Sequence, residues 1–203
     1  MIGFYNYTVI LTYLGTLSGF YGIANVMNNN LKAALLCLMF SGFCDMFDGK
    51  VASTMERTPQ EKRFGIQIDS LSDLICFGVF PALIVYHFSG KAGLTLLIAA
   101  AYMLCALIRL AWFNVDEEER QSKEGGRRTV YLGLPVTTSG LLLPLFFGIG
   151  SFLKLPVATL SPWLLLVIAI AFITPFQLEK PNRKKTMVMA VVGLITLASL
   201  LVM

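Results

Sequence analysis

Four aspartates stand close together in an otherwise apolar stretch: Asp45 and Asp48 three residues apart, Asp69 and Asp73 four apart. On a helix either spacing puts both carboxylates of a pair on one face. An ionised aspartate at the centre of a spanning helix costs about 2.5–3.5 kcal/mol on insertion scales, so four of them call for a chemical reason. Carboxylates that converge without a matching set of cations repel one another, and two divalent cations would neutralise them. Ligation by oxygen alone favours the hard ions Mg2+, Mn2+ or Ca2+ over zinc. Two such ions can clamp a phosphate and favour in-line displacement at phosphorus.

The elements that must position these residues are set by composition. The chain has 203 residues, 56% of them hydrophobic and 14% charged, whereas a soluble domain carries about 25% charged residues. Mean hydropathy is +0.72. These values exclude an ordinary soluble enzyme and predict an all-α integral membrane protein, folded as a single domain over 1–203. Charge-free runs predict seven spanning helices, near 7–28, 31–55, 63–88, 91–114, 133–153, 156–177 and 185–203. Each is close to the roughly 20 residues that cross hydrocarbon, where backbone groups find no water and helices satisfy them internally. The last run has a second reading, as a helix lying in the interface. The first has no basic n-region and no small-residue cleavage site, so it is expected to be a retained helix, not a signal peptide.

The basic residues give the orientation. Lys50, Arg57, Lys62 and Arg63 flank the connection after helix two, Arg120, Lys123, Arg127 and Arg128 follow helix four, and Lys180, Arg183, Lys184 and Lys185 follow helix six. With seven alternating helices these twelve cations share one side, against Lys32, Lys91 and Lys154 on the other. The basic side is expected to be cytoplasmic, with the N-terminus inside and a multi-pass chain in the cell membrane. Residues 116–129, DEEERQSKEGGRRT, predict a flexible loop on that side. Arg127 and Arg128 at its basic end are candidates for contact with lipid headgroups or substrate phosphate. Cys37, Cys44, Cys76 and Cys105 show no CxxC spacing and are expected to pack as small hydrophobes. His87 is expected to be an interfacial or packed imidazole.

Small residues stand beside the carboxylates. Gly49 follows Asp48, Ala52 lies about one turn further on, and Gly65 precedes Asp69 by one turn. Small side chains let a ligand or a neighbouring helix approach the backbone. Packing alone would explain the glycines and the alanine, but not the aspartates beside them.

The pattern Asp45-x2-Asp48-Gly49-x2-Ala52, followed by Gly65-x3-Asp69-x3-Asp73, resembles the DxxDGxxAR…GxxxDxxxD motif of the CDP-alcohol phosphotransferases. Two departures stand out. The family's Arg is replaced by Ser53, and eleven residues separate Ser53 from Gly65 where the family has eight. FGIQIDSLSDLICFG (64–78) resembles the form this segment takes in the CDP-diacylglycerol–serine O-phosphatidyltransferases. RLAWFN (109–114), YLGLP (131–135) and TYLGTLSG (12–19) resemble further segments of that group, with Trp112 in place of an Arg and Gly15 in place of an Asn.

The resemblance implies a bundle with a six-helix core plus one helix, working as a homodimer. It also implies a metal-dependent transfer of the phosphatidyl group from CDP-diacylglycerol, or an ether-lipid analogue, to the hydroxyl of L-serine, with release of CMP. Membrane lipids surround the chain, and no nucleic acid partner is expected. By the same resemblance Asp45, Asp48 and Asp69 are metal ligands and Asp73 a ligand or general base. Asp48, Gly49, Ala52, Ser53 and Gly65 line the cytidine nucleotide site. Arg57, Lys62 and Arg63 in the longer connector are candidates for the diphosphate cation that Ser53 does not supply. Arg109, an intramembrane arginine, is the first candidate for acceptor contact, followed by Asn114, Arg127, Arg128 and Thr137. Glycerol 3-phosphate or inositol phosphate remains an alternative acceptor, and a cation transporter is the reading from another class.

Overall fold

The apolar runs become helices, and polar connections fold them back on one another. The computed structural model describes residues 2–123, 130–179 and 183–202, with the backbone alone for 120–123, 130, 131, 179 and 183–186. A 3-10 turn over Tyr7–Val9, capped by the Asn6 side chain, leads into α1 (Ile10–Met27). Helix α2 (Leu31–Ala52) starts at Asn30, whose side chain accepts from the Ala33 N–H. Then come α3 (Pro59–Asp73), α4 (Phe80–Phe88), α5 (Gly93–Lys123), α6 (Ser139–Phe152), α7 (Val157–Ile173) and α8 (Arg183–Val202). A π-helical segment, Leu74–Val79, joins α3 to α4 as one rod. Seven rods therefore stand where seven helices are predicted among the described residues. By length and composition three of them, Tyr7–Met27, Pro59–Phe88 and Gly93–Glu119, qualify outright as membrane-crossing.

Four local features differ from the sequence-based expectation. Helix α3 begins at Pro59, not at 63, because Thr58-Pro59-x-Glu61 is a capping box. The Glu61 N–H donates to Thr58 Oγ1 at 3.2 Å, and Glu61 Oε2 accepts from the Thr58 N–H at 2.9 Å. The start of a helix is thus set by polar side chains, and hydropathy is blind to it. Second, the expected loop over 116–129 is helical as far as Lys123. Glu, Arg, Gln and Lys are good helix formers, and Asp116/Arg120 and Glu119/Lys123 have i,i+4 spacing. Charge ended the apolar run there without ending the helix.

The third difference is the π-helical segment. Pro81 has no N–H to give the Phe77 carbonyl one turn back, and the ladder shifts so that the Phe80 N–H bonds Ile75 O. The Phe77 carbonyl is taken up from outside the rod. Tyr102 OH donates to it at 2.7 Å and Ser139 Oγ at 3.2 Å. The fourth is a short antiparallel pair, β1 (Val130–Leu132) with β2 (Gln177–Glu179), where helix was expected only up to 177.

Close approach of the helices depends on α1. A Cβ at Gly19 would lie 2.8 Å from Cys76 Sγ, and one at Gly22 would overlap the Phe80 ring. These glycines let α1 lie directly on the π segment and α4. Behind them Leu35, Leu38, Phe77, Phe80, Tyr102, Phe147 and Phe172 are buried as one core. The four cysteines are free, with Cys44 and Cys76 buried as small apolar groups. His87 bonds Asn29 through Nε2 at 2.8 Å where α4 and α1 end.

Helix α8 packs along α6 and α2, with Leu200 and Thr196 fully buried. Lys32 Nζ donates to the Leu201 carbonyl at 2.8 Å, so α8 ends beside the start of α2. It lies along the bundle against α6 and α2.

The three basic connections gather at one end of the bundle. Tyr7, before α1, meets Thr54, after α2, through their hydroxyls at 3.0 Å. Ser70 of α3 donates to Asn114 of α5 at 2.7 Å, and β1–β2 links the α5–α6 connection to the α7–α8 connection. His87–Asn29 and Lys32–Leu201 mark the opposite end.

Candidate active site

At the basic end, α1, α2 and α3 enclose a cleft whose lining includes all four aspartates. The connection between α2 and α3 brings the two pairs to the same depth. Asp45, Asp48 and Asp69 each offer an oxygen, and these three atoms lie within 4.8 Å of one another. Asp73 is within hydrogen-bonding reach of Asp45, and Asp69 of Asp48. The carboxyls thus pair across the helices as well as along them. Asp48 and Asp73 are buried, while Asp45 and Asp69 are half-buried. Such a convergence of oxygens, with no Lys or Arg among the cleft-lining residues, fits a hard divalent ion in its donor chemistry and spacing.

Helix α1 completes the site with polar groups that hydropathy conceals. Thr12 Oγ1 donates to Asp48 Oδ2 at 3.2 Å. Thr16 donates to the Thr12 carbonyl at 2.8 Å, so it is the Ser72 hydroxyl that donates to Thr16, at 2.7 Å. Ser41 Oγ and Cys76 Sγ both donate to the Gly15 carbonyl, at 2.9 and 3.4 Å. These bonds fix how α1 sits against both aspartate-bearing helices. Thr12 is the residue that sequence reasoning passed over. It heads the TYLGTLSG stretch, and only the packing of α1 on α2 gives it a partner.

The small residues differ in their surroundings. A Cβ at Gly49 would meet nothing within 4 Å, so the α2 backbone beside Asp48 is open. Gly65 faces the connector, where a Cβ would lie 3.0 Å from Arg57 Nη1. Ala52 is the last residue of α2. Ser53 is exposed and donates from Oγ to the Lys50 carbonyl at 2.7 Å, a bond spent on ending the helix. Lys62 and Arg63 are exposed on the first turns of α3.

The acceptor candidates are more dispersed. Arg109 is buried at 8% exposure, and its guanidinium donates to the carbonyls of Leu134 (3.3 Å) and Gly133 (3.4 Å). Gly133 has φ +73°, and a Cβ there would lie 2.9 Å from the Thr174 carbonyl, which restricts the position to glycine. Asn114 is joined to Ser70, next to Asp69. Thr137 is half-buried in the turn Val136–Thr138. Arg127 and Arg128 lie outside the described residues.

Similarity to known proteins agrees with this geometry. The model of the CDP-alcohol phosphatidyltransferase family matches residues 5–175. Archaetidylserine synthase of Methanothermobacter thermautotrophicus is 28% identical over 174 residues, 85% of this chain and 68% of that protein. The CDP-diacylglycerol–serine O-phosphatidyltransferase of Saccharomyces cerevisiae is 32% identical over 64% of this chain and 49% of its own length. The Bacillus subtilis protein of the same name is 25% identical over 72% of this chain and 82% of its own. The chain thus spans about half to four-fifths of the length of these relatives. The family match covers both aspartate pairs and the three helices that converge on them, and the chain belongs to the CDP-alcohol phosphatidyltransferase family.

Proposed function

We propose that this membrane protein transfers a phosphatidyl group, or its ether-lipid equivalent, from the CDP-linked lipid to the hydroxyl of L-serine. The observation that carries the reading is the convergence of Asp45, Asp48, Asp69 and Asp73 in one cleft at the basic end. The serine acceptor comes from the relatives, whose names specify serine transfer or archaetidylserine synthesis.

In this reading the serine oxygen forms a bond to the phosphorus that carries the lipid, and the bond from that phosphorus to the CMP oxygen breaks. The electron pair leaves with CMP. Asp73 accepts the hydroxyl proton, being buried in the cleft lining and within reach of Asp45. Asp45, Asp48 and Asp69, with Asp73, would hold the divalent ions, two in number and Mg2+ or Mn2+ in the first instance. Bound there, such ions neutralise phosphate charge. Gly49 leaves room for the nucleotide beside Asp48, Gly65 lies against Arg57, and Lys62 and Arg63 are the other cations of this segment.

Arg109 and Asn114 serve the acceptor side, Arg109 by holding the segment that leads to Thr137. Arg109→Ala is expected to raise the serine requirement more than the lipid requirement, and equal effects would assign it to structure. The basic end faces the cytoplasm, which places the N-terminus inside, and the working unit is a homodimer, an assembly inferred from the family resemblance. Cysteine labelling from each side of sealed vesicles and light scattering test these two points.

The deciding experiment measures CMP release from CDP-diacylglycerol by the purified protein in detergent. Serine, glycerol 3-phosphate and inositol phosphate are compared, with EDTA and then added Mg2+, Mn2+ or Ca2+. Release with serine, lost in EDTA and restored by a divalent ion, is expected. Release only with glycerol 3-phosphate would overturn the acceptor, and no release with any acceptor would overturn the enzyme reading.

A further inference from the structure

The motif departs from its family at Ser53, and the connector that follows is long. Two observations bear on what that connector does. First, Arg57 extends along α3 until its guanidinium reaches Gly65, where a Cβ would lie 3.0 Å from Nη1. Gly65 and Asp69 share a face one turn apart, so this places a guanidinium one turn along α3 from the carboxylate cluster. Of the other two connector cations, Arg63 is two residues from Gly65 and so on the far side of α3, and Lys62 is seven residues, roughly 10 Å of helix rise, from Asp69.

Second, the connector and the first turns of α3 are tied at three points by the segment preceding α1. Tyr7 OH bonds Thr54 Oγ1 at 3.0 Å on one side of Arg57. On the other side Asn6 Nδ2 donates to Glu61 Oε1 at 3.1 Å, and the Phe4 ring meets Phe64 edge-on at 5.4 Å between centroids. Tyr13 OH in turn bonds the Phe4 carbonyl at 3.2 Å, which fixes the segment to α1. Glu61 is also the residue that closes the capping box with Thr58, so one carboxylate joins the start of α3 to the strap.

We propose that residues 4–7 are a strap that positions the connector, holding Arg57 above Gly65 so that its guanidinium binds the diphosphate of the nucleotide–lipid substrate. Arg57 contacts substrate, and Asn6 and Tyr7 are positioning residues that act through it. A planar guanidinium suits two phosphate oxygens at once. The proposal rests on the phosphatidyl-transfer reading and deepens it by naming the cation that replaces the one absent at Ser53.

The test compares Arg57→Gln, Arg57→Lys, the strap variant Asn6→Ala/Tyr7→Phe, and Lys62→Gln/Arg63→Gln in the full chain. KM for CDP-diacylglycerol and for serine are measured separately, and CDP binding is measured directly by calorimetry. Arg57→Gln is expected to raise the lipid KM and weaken CDP about tenfold or more, the weight of a charge-assisted hydrogen bond, with the serine KM within about twofold. Arg57→Lys should recover part of that loss, and Lys62→Gln/Arg63→Gln should weaken CDP less than Arg57→Gln does; an equal or larger effect would overturn the assignment to Arg57. The strap variant should weaken CDP by about threefold to tenfold and speed tryptic cleavage in the connector. Combined with Arg57→Gln it should add nothing further, since both changes remove one contact. Unchanged CDP affinity in Arg57→Gln, or strap and Arg57 effects that simply multiply, would overturn the proposal. If the unaltered protein released no CMP, the transfer reading would fall, while the CDP-binding arm would still decide the role of Arg57.

Discussion

In the first three helices, hydroxyls and a thiol reach across to neighbouring helices: Thr12 to Asp48, Thr16 to Ser72, Ser18 to the Cys37 carbonyl, Ser41 and Cys76 to the Gly15 carbonyl. In α7 and α8 hydroxyls turn back on their own helix, Ser161 to Ala158, Thr196 to Val192 and Ser199 to Thr196. A bond within one helix is indifferent to where the next helix stands. A bond between helices exists at one relative depth and rotation only. In lipid, where apolar surface gives no preference among packings, such bonds and close glycine contacts set helix register. The α1–α3 half is therefore built to hold four carboxylates in place, whereas α7 and α8 pack by shape. The π segment and the Ser139 hydroxyl join the two regimes at the Phe77 carbonyl.

That contrast can be broken at the carboxylates first. Asp73→Asn keeps the size of the side chain but removes the proton acceptor. CMP release should fall about 10²–10³-fold, the scale of losing one preorganised group in a reaction site, with measurable CDP binding retained. Unchanged turnover would remove Asp73 from the chemistry.

A matched pair of threonines then tests whether cross-helix bonds carry more than local ones. Thr12→Val removes the donor to Asp48 and should lower turnover about 10–100-fold, as for groups that orient metal ligands. Thr196→Val removes a bond inside α8 and should leave turnover alone, with a stability change of about 0.6 kcal/mol or less. Equal effects of the two substitutions would abolish the distinction.

The smallest effects concern close packing. Gly22→Ala places a Cβ against the Phe80 ring and should cost about 1–3 kcal/mol by overpacking. Gly193→Ala on α8 meets nothing within 4 Å and should be neutral or stabilising by up to about 1 kcal/mol through helix propensity. Thermal unfolding in detergent, followed by intrinsic fluorescence, compares the two.

Much of this arrangement was legible in the residues. The apolar runs predicted the seven rods because a chain in hydrocarbon has few alternatives to helix. The spacing of Asp45, Asp48, Asp69 and Asp73 predicted one shared cleft because a short connection forces α2 and α3 to be antiparallel neighbours. What escaped had local polar causes that hydropathy does not register. The Thr58–Glu61 capping box starts α3 early, and Pro81 forces the shift to π-helical bonding. The helix formers after Asn114 carry α5 past the last apolar residue. Arg109 drew attention as an intramembrane cation, and its partners include two backbone carbonyls that no spacing rule would find.

The sequence by itself determined the class of the protein, the carboxylate chemistry and the end of the bundle at which it sits, because these follow from composition, helical periodicity and the distribution of lysine and arginine. Tertiary structure alone decided that Thr12 holds Asp48, that Tyr102 and Ser139 take up the Phe77 carbonyl, and that Arg57 lies over Gly65 beneath a strap from residues 4–7. Each of these joins residues at least 8 and as many as 62 positions apart. Such pairings depend on which helix faces meet, and that is settled only when the bundle packs.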